Sequence, residues 1–290
     1  MNDLTAKVFS ILPDKTFIQL QYIKNFFRFP DLEYPKLFSE KIQWMKLYDR
    51  KKTHIRLSDK YEVRDYIKSI IGAEYLNELF VVSDNPEEIK FDELPLQFVI
   101  KANHGSGFNR IVWDKSKVNW TTIVKQLRGW LNSDYYLKTR EWQYKEINRK
   151  ILIEELLSND SKSVPLDYKF HCFNGKVELI QVDIDRFSNH KRNLYNTEWE
   201  LLPLEWSPAK NNKPNYPKGE DVERPANLVE MINLSERISC DFNYVRVDLF
   251  EVNNKVIFGE ITFHHENGMA HFFPSQFDEI YGAKINLDIK

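Results

Sequence analysis

The segment YVRVDLFEVNNKVIFGEITF, residues 244–263, alternates apolar and polar side chains on both sides of an Asn-Asn pair. Alternation of this kind predicts two β-strands joined as a hairpin. If the loop contains the three residues 253–255, Asp248 lies directly opposite Glu260, on the face that does not enter the core. A two-residue loop would instead place the two acids on opposite faces, because side chains alternate along a strand.

Asp248 and Glu260 are therefore candidate ligands of a metal ion. The Cβ atoms of directly opposed residues lie about 5 Å apart, and two carboxylates at that distance repel unless a proton or a cation lies between them. A hard divalent ion such as Mg²⁺, held by two carboxylates and by substrate phosphates, fits this arrangement. The alternative is an ordinary exposed strand face, on which Arg246, opposite Thr262, pairs with either acid.

A second candidate site follows the short apolar strand 98–100. Lys101 ends this strand, where its charge is costly to bury without a partner. The residues Gly105, Ser106 and Gly107 follow, and backbone N–H groups in such a loop can hold an anion. Neither of the common glycine-rich phosphate motifs is present, so a tight turn beside a solvated lysine is the alternative.

Two further segments carry candidate nucleotide ligands. The apolar strand 151–153 leads into Glu154 and Glu155, where the backbone and a carboxylate could bind adenine and ribose. The segment 167–185 turns at an Asn-Gly pair, the strongest two-residue hairpin signal, and places Asp167, Lys169 and His171 on one face. Lys169 could reach a polyphosphate from there. The structural alternatives are solvated acids after a buried strand and a lysine on an exposed sheet face.

The triplet Asp183-Ile-Asp185 has the D-x-D form by which many glycosyltransferases hold a metal-bound nucleotide-sugar. A triplet this short also arises by chance at strand ends. The segment 200–225 contains five prolines and predicts a long loop, and such loops in compact domains are usually lids or disordered.

The composition excludes several classes of protein. The 290 residues include 41 Lys and Arg against 43 Asp and Glu, a formal net charge of -2. This balance argues against binding to nucleic acid or anionic lipid, and no apolar run approaches the ~18–20 residues of a membrane span. Residues 1–15 lack the continuous apolar region of a secretion signal, and two cysteines cannot build a disulfide framework. We therefore expect a cytoplasmic location.

The rest of the chain predicts a mixture of helices and strands. Apolar residues at helical spacing predict helices over 35–48, 59–71, 120–131 and 225–239. The acidic stretch 83–95 is expected to be a solvated connector. Because strands and helices alternate without regular βαβ spacing, the predicted fold class is α+β.

The order of these segments resembles the ATP-grasp superfamily, and more closely its TupA-like branch, named for teichuronopeptide biosynthesis. Six segments carry the resemblance and cover most of the chain: EKIQWMKLYD (40–49), SDKYEVRDYI (58–67), FVIKANHGSG (98–107), ILIEELL (151–157), DYKFHCFNGK (167–176) and VRVDLFEVNNKVIFGEITF (245–263). The resemblance implies two α+β subdomains, 96–157 and 158–290, that clasp ATP. An abbreviated helical region with its connector, 1–95, would precede them.

The resemblance also implies site residues. ATP would be bound by nine of them: Lys60, Lys101, Gly105, Ser106, Gly107, Glu154, Glu155, Leu157 and Lys169. The glycines would form a mobile flap over the phosphates, and the residues after the strand at 151 would hold adenine and ribose. Asp248 and Glu260 would hold Mg²⁺, as two ions. Thr262 replaces the usual Asn of the family, and Asn267 is a candidate substitute for this third ligand.

The implied chemistry joins a carboxylate to an amine. The carboxylate attacks the γ-phosphoryl group of ATP to give ADP and an acyl phosphate, and the amine then displaces phosphate to form an amide. Arg246 and Lys101 would be catalytic, with Arg246 holding the acyl phosphate and the oxyanion formed on amine attack. The loop 207–225 would cover the acceptor.

TupA-like proteins are associated with surface polysaccharides in which a uronic acid is amidated by an amino acid or small amine. The resemblance thus implies a sugar acid, free or linked to a nucleotide or lipid, and an amine as co-substrate, while the oligomeric state is left open. Two alternatives belong to other classes: a glycosyltransferase that uses Asp183 and Asp185, and a nucleotide-binding protein without catalysis. A kinase would begin with the same phosphoryl transfer.

Overall fold

A computed structural model describes residues 11–158, 163–186 and 188–287 of the protein. The strands form a four-stranded and a five-stranded sheet, both antiparallel, and two ribbons of two strands each. Together with the helices, these sheets confirm the predicted α+β class. No helix in the described ranges is long and apolar enough to cross a membrane.

Eight α-helices lie within the described residues: α1 (Asp14–Phe26), α2 (Phe38–Tyr48), α3 (Lys52–Ser58), α4 (Val63–Ile70), α5 (Trp120–Leu131), α6 (Tyr136–Thr139), α7 (Leu228–Ser239) and α8 (Gln276–Ala283). Six 3₁₀ turns lie between them: Ala73–Tyr75, Pro86–Glu88, Phe91–Glu93, Lys115–Lys117, Trp142–Lys145 and His265–Gly268.

The same residues contain thirteen strands: β1 (Leu79–Ser83), β2 (Phe98–Ala102), β3 (Asn109–Val112), β4 (Ile151–Glu154), β5 (Asp167–Phe173), β6 (Lys176–Ile184), β7 (Lys191–Tyr195), β8 (Glu205–Ser207), β9 (Ala209–Lys210), β10 (Lys213–Pro214), β11 (Tyr244–Val252), β12 (Lys255–Thr262) and β13 (His271–Phe273). The helices α2, α5 and α7 confirm those predicted near 35–48, 120–131 and 225–239.

The four-stranded sheet has the order β1-β4-β2-β3 and packs one apolar face against α5. The stretch 83–95 is not the solvated connector that its acids predicted, because Ile89, Phe91 and Leu94 are buried in the core of this sheet. Its charged residues stay in water while the apolar residues between them point inward. The sheet also includes β1, so it draws on residues before the boundary that we expected at residue 96.

The five-stranded sheet has the order β12-β11-β5-β6-β7. One face is apolar and packs against α4 and α7, where Phe170 and Val247 contact the core around Ile67 and Met231. Part of the opposite face is covered by α2 and α8. The rest of that face carries charged side chains, which face the four-stranded sheet across a cleft.

The hairpin of β11 and β12 pairs Asp248 with Glu260, as predicted, but through a different loop. The turn contains two residues, Asn253 and Asn254, both with positive φ. A β-bulge at Gly259 inserts one residue into β12 and returns both acids to the same face. A Cβ at position 259 would lie 3.0 Å from the carbonyl oxygen of Asp248, which explains the glycine there.

Two other predicted segments differ in detail. The helix expected from Asp59 begins at Val63, because the Asp59 carboxylate accepts hydrogen bonds from the backbone N–H groups of Tyr61 and Glu62 and holds them in a turn. The segment 200–225, predicted to be a long loop, contains the short strands β8, β9 and β10.

Candidate active site

A cleft of about 730 Å³ lies between the two large sheets. Its volume falls within the roughly 300–1,000 Å³ typical of small-molecule sites. Both sheets and the segment after β4 line it, with residues that include Lys101, Ile111, Glu155, Leu157, Asp167 and Asp183. Predicted ATP-binding residues from distant parts of the sequence therefore share one cavity.

Lys101 and Glu154 form an ion pair at the wall of this cleft. The Lys101 Nζ donates to Glu154 Oε2 at 2.6 Å, and the Arg64 Nη1 donates to Glu154 Oε1 at 3.3 Å. Asn77 Nδ2 donates to the same carboxylate at 3.3 Å. Burial alone would raise the pKa of Glu154, but the Lys101 ammonium and the Arg64 guanidinium hold it below its ordinary value. The structure thus uses Glu154 to fix Lys101, whereas Glu155 and Leu157 line the cavity.

Lys60 lies between the glycine loop and the hairpin of β11 and β12. Its Nζ donates to the carbonyl oxygen of Gly105 at 2.9 Å and lies 3.5 Å from Glu260 Oε2. Gly105 packs closely on Tyr135, since a Cβ there would lie 2.9 Å from the tyrosine ring. Gly107 has φ +79°, a conformation that other residues rarely adopt. The two glycines therefore allow the loop to pack against Tyr135 and to turn beside Lys60.

Asp248 and Glu260 are held together by Arg246. The guanidinium donates from Nε to Asp248 Oδ1 at 2.6 Å and from Nη2 to Asp248 Oδ2 at 2.7 Å. The same Nη2 donates to Glu260 Oε1 at 2.8 Å. A cation thus already lies beside both acids, as their separation across the strands requires.

The donor chemistry of this pair fits a hard divalent ion. Burial raises the pKa of Asp248, whereas Lys60 and Arg246 outweigh burial and lower the pKa of Glu260. The Glu260 side chain is 33% exposed, so a ligand or water can contact it. No group of three acidic, His or Cys side chains suited to a metal exists among the described residues, so phosphate oxygens or water would complete the coordination.

Thr262 and Asn267 are the two residues considered for a third protein ligand of the metal ion. Thr262 Oγ1 donates to Glu260 Oε1 at 3.2 Å and lies beside the acid pair. Asn267 is not a free substitute for the family's usual Asn, because its Oδ1 accepts a hydrogen bond of 2.6 Å from Lys46 Nζ.

Lys169 lies on the same polar sheet face, among three carboxylates. Its buried Nζ is hydrogen-bonded to Asp167, lies 3.2 Å from Asp183 Oδ2 and lies 3.9 Å from Asp248 Oδ2. The register explains this placement, since Lys169 on β5 pairs directly with Asp248 on β11. Lys169 therefore connects the acid pair with Asp167 and Asp183 at the cleft wall.

The two acids of the D-x-D triplet have different environments. Asp183 is buried and accepts hydrogen bonds from Arg192 Nε at 2.7 Å and Gln181 Nε2 at 3.0 Å. Burial opposes the shift, but Arg192 and Lys169 hold the pKa of Asp183 well below its usual range. Asp185 is exposed and has positive φ at the end of β6. Asp183 is thus a charge partner within the protein, and the two acids do not form a matched pair.

The sequence also matches a known protein family. The sequence model of the family described as TupA-like ATPgrasp matches residues 40–286. The chain belongs to the TupA-like ATP-grasp family. The topology of the two sheets and this match together establish the ATP-grasp fold. A comparison with curated protein sequences found no match.

Two solved structures illustrate the similarity of this chain to known proteins. D-alanine–D-alanine ligase from Bacillus anthracis, complexed with ATP, is 17% identical with a TM-score of 0.40, over 72% of this chain and 54% of the ligase. N5-carboxyaminoimidazole synthase from Aspergillus clavatus, in complex with ADP and its ribonucleotide, is 14% identical with a TM-score of 0.38, over 73% and 46%. The ATP-grasp chain therefore spans about half the length of these proteins.

Sequence reasoning missed several residues of the ATP-grasp cleft. Arg64 and Asn77 surround Glu154 although they lie 90 and 77 positions away in sequence. Arg192, which holds Asp183, was also missed. Alternation did place Asp167 on the strand face of Lys169, which it contacts, but gave it no role. Arg64 and Asn77 had no signal, since their contacts arise only when the helix α4 and the segment before β1 pack beside β4.

Proposed function

We propose that this ATP-grasp protein is an ATP- and Mg²⁺-dependent ligase that joins a carboxylate to an amine through an acyl phosphate. The observation that carries the proposal is the convergence of Arg246, Asp248, Glu260 and Lys60 in one network of ion pairs on the hairpin of β11 and β12. Opposed acids, a guanidinium and an ammonium beside a glycine loop match what phosphoryl transfer needs, which is positioning and charge neutralisation.

Each group has a proposed role in binding ATP. Glu155 and Leu157 would hold adenine and ribose, while Glu154 would keep Lys101 directed at the phosphates. Lys60, Lys169 and the loop of Gly105, Ser106 and Gly107 would add donors and positive charge around the phosphate chain. Asp248 and Glu260 would hold Mg²⁺, which we propose as two ions. Bound Mg²⁺ would neutralise charge on the transferring phosphoryl group.

Arg246 and Lys101 are the proposed catalytic residues. An oxygen of the substrate carboxylate attacks the γ-phosphorus, and the bond to the β-γ bridging oxygen of ATP breaks to release ADP. Arg246, fixed by Asp248 and by His265 Nδ1 at 3.0 Å, would orient the acyl phosphate. When the amine attacks the carbonyl carbon, the same guanidinium would stabilise the oxyanion until phosphate leaves.

The proposed carboxylate is a uronic acid used for surface or capsular polysaccharide, either free or linked to a nucleotide or lipid. The proposed acceptor is an amino acid or a small amine. Support for this substrate class comes from the family, which is named for teichuronopeptide.

A product assay tests the proposal. Purified protein should form ADP only when ATP, Mg²⁺, a uronic acid and an amine are all supplied, and hydroxylamine in place of the amine should give a hydroxamate. Formation of AMP, or turnover without a carboxylate, would rule the mechanism out. A kinase would release ADP but give no hydroxamate, and a non-catalytic nucleotide-binding protein would bind ATP without releasing phosphate.

Paired variants separate the ligase from a glycosyltransferase. Glu260→Ala should lower the rate of ADP formation by on the order of a hundredfold or more, because it removes charge stabilisation at the transferring group. Asp185→Ala alters an exposed acid at the edge of the same cleft and should change the rate less than threefold. The opposite pattern would favour a nucleotide-sugar site at Asp183 and Asp185.

A further inference from the structure

We propose that Glu266 binds the ammonium group of the acceptor and takes the proton that the amine must lose before it attacks. The inference rests on the proposed function, because it assigns the second substrate of the same site. Glu266 lies in the 3₁₀ turn His265–Gly268, directly after the hairpin that carries Asp248 and Glu260.

The backbone of Glu266 is in the left-handed conformation, which residues other than glycine rarely adopt. Glu266 has φ 47° and ψ 31°, and Asn267 has φ 57° and ψ 17°. Gly268 follows with φ 68°, so three consecutive residues are left-handed. A glutamate has neither the short polar side chain by which Asn favours this region nor the missing Cβ by which Gly tolerates it. Strained residues of this kind persist where the surroundings fix them, often at functional sites.

Helix α2 fixes the turn from below. Gln43 Nε2 donates to the carbonyl oxygens of Asn267 at 2.9 Å and Gly268 at 3.2 Å. Lys46 Nζ donates to Asn267 Oδ1 at 2.6 Å and to Gln43 Oε1 at 3.0 Å. These buried contacts hold the backbone around Glu266 while its own side chain stays 28% exposed. They also give a physical role to the segment EKIQWMKLYD, which the proposed ATP site does not use.

One oxygen of the Glu266 carboxylate is held by a buried arginine. Arg192 Nη2 donates to Glu266 Oε1 at 3.0 Å, while Arg192 Nε and Nη1 donate to Asp183 and to the carbonyl oxygen of Trp206. Only 3% of the Arg192 side chain is exposed, so it forms a fixed support. The carboxylate is therefore oriented through one oxygen, and its partial exposure leaves it accessible to a ligand.

Glu266 also lies close to the proposed reaction centre. Its neighbour His265 accepts the hydrogen bond from Arg246 Nη1 through Nδ1 and is buried. Arg192, which holds Glu266, also donates to Asp183, and Asp183 Oδ2 lies 3.2 Å from Lys169 Nζ. An acceptor beside Glu266 would thus lie on the side of Arg246 and Lys169.

The chemistry explains why such a carboxylate is needed. An alkyl amine is protonated at neutral pH and has no free electron pair with which to attack. Glu266 would accept one N–H proton, the nitrogen would then bond to the carbonyl carbon, and the C–O bond to phosphate would break while the second N–H proton passes to the departing phosphate. Acyl phosphate and ammonium thus yield amide, inorganic phosphate and one proton, which passes from Glu266 to water.

The variant Glu266→Gln keeps an oxygen that can accept from Arg192 but has no basic carboxylate. Glucuronic acid and galacturonic acid serve as carboxylate probes, with ethanolamine and L-lysine as protonated amines and hydroxylamine as an amine that is neutral at pH 7. We expect the ratio of amide to hydroxamate to fall at least tenfold. We also expect the remaining amide formation to rise with pH, since free amine then no longer needs the base. Glu279→Gln, an exposed acid on α8, is the control and should leave the ratio unchanged.

Several results would overturn the assignment. An unchanged ratio would mean that Glu266 only balances the charge of Arg192. Equal loss of amide and hydroxamate, with ATP affinity and Tm preserved, would place Glu266 in the first half-reaction. Hydroxamate without amide from either amine would exclude an alkylammonium site. If the wild-type protein forms no hydroxamate at all, the proposed function itself fails, and the inference about Glu266 fails with it.

Discussion

Replacing Glu154 by Gln tests the charge network that fixes Lys101 at the wall of the cleft. The Glu154 carboxylate is buried and accepts hydrogen bonds from Lys101, Arg64 and Asn77. Gln keeps the shape and one acceptor oxygen but removes the negative charge. Two cations would then lie close together without their shared counter-ion.

The expected magnitude follows from burial. Removing one partner of a buried ion pair costs about 3–5 kcal/mol. Lys101 and Arg64 keep 26% and 17% of their side-chain surface exposed, so water screens part of the loss. We therefore expect Glu154→Gln to lower the free energy of unfolding by about 2–3 kcal/mol at pH 7. In a chain of this length that corresponds to a fall in Tm of roughly 4–12 °C.

The effect should depend on pH with a defined sign. The pKa of Glu154 is lower in the folded protein than its ordinary value of 4.5. A carboxyl group of this kind stabilises the fold fully above the unfolded pKa and loses that contribution as pH falls through the folded pKa. The difference in Tm between wild type and Glu154→Gln should thus hold from pH 7 down to about 4.5 and shrink at lower pH.

Scanning calorimetry across this pH range is the assay, with Glu155→Gln as the matched control. Glu155 is the next residue and is exposed, so its replacement should change the free energy of unfolding by no more than about 0.5 kcal/mol. Equal effects of the two variants, or a Tm difference that does not shrink in acid, would refute the ion-pair argument. Weaker ATP binding without any loss of stability would instead return Glu154 to a direct role in holding adenine.

Two further variants test other parts of the structure. Gly259→Ala should lower the free energy of unfolding by about 1–3 kcal/mol, because the new Cβ would press on the carbonyl of Asp248. Gly129→Ala in α5 is the control, because an added Cβ there has no atom within 4 Å; it should be neutral or stabilising by up to about 1 kcal/mol. Equal urea midpoints for the two variants would contradict the bulge argument. Lys60→Met should weaken ATP binding about ten- to a hundredfold by calorimetric titration, as loss of a charged hydrogen bond of about 1.5–3 kcal/mol requires. Lys68→Met, at an exposed position on α4, should leave the affinity unchanged, and equal affinities of the two variants would exclude Lys60 from the phosphate site.

The hairpin of β11 and β12 shows where sequence reasoning succeeds and where it errs. Alternation placed Asp248 opposite Glu260, and the structure agrees. The predicted three-residue loop is wrong, because the extra residue lies at Gly259 within β12. Alternation cannot distinguish a longer loop from a bulge, since either one restores the same face. The contacts of position 259 with the Phe250 ring and the Asp248 carbonyl oxygen, at 2.9 and 3.0 Å from an added Cβ, explain the position of the glycine.

The stretch 83–95 illustrates the opposite failure. Its acids predicted exposure, and composition gave no reason to expect that Phe91 would stack on Trp120 with ring centroids 4.2 Å apart. A few apolar side chains were enough to bury the segment, because α5 offers them a complementary surface. The average polarity of a segment does not determine which of its side chains are buried, because burial depends on the surfaces that pack against it.

The amino-acid sequence by itself determined the class of fold and the family, because the segments that carry them are local runs of residues. Side-chain periodicity likewise placed Arg246 and Asp248 on one strand face, whereas Glu260 joins that face only through the bulge at Gly259. The tertiary structure alone decided which charges meet. Glu154 binds Lys101 and Arg64, and Lys46 engages Asn267 across 221 positions of sequence. Such pairs join residues distant in sequence, so they form only when strands pair and helices pack, and burial then makes an unpaired charge costly.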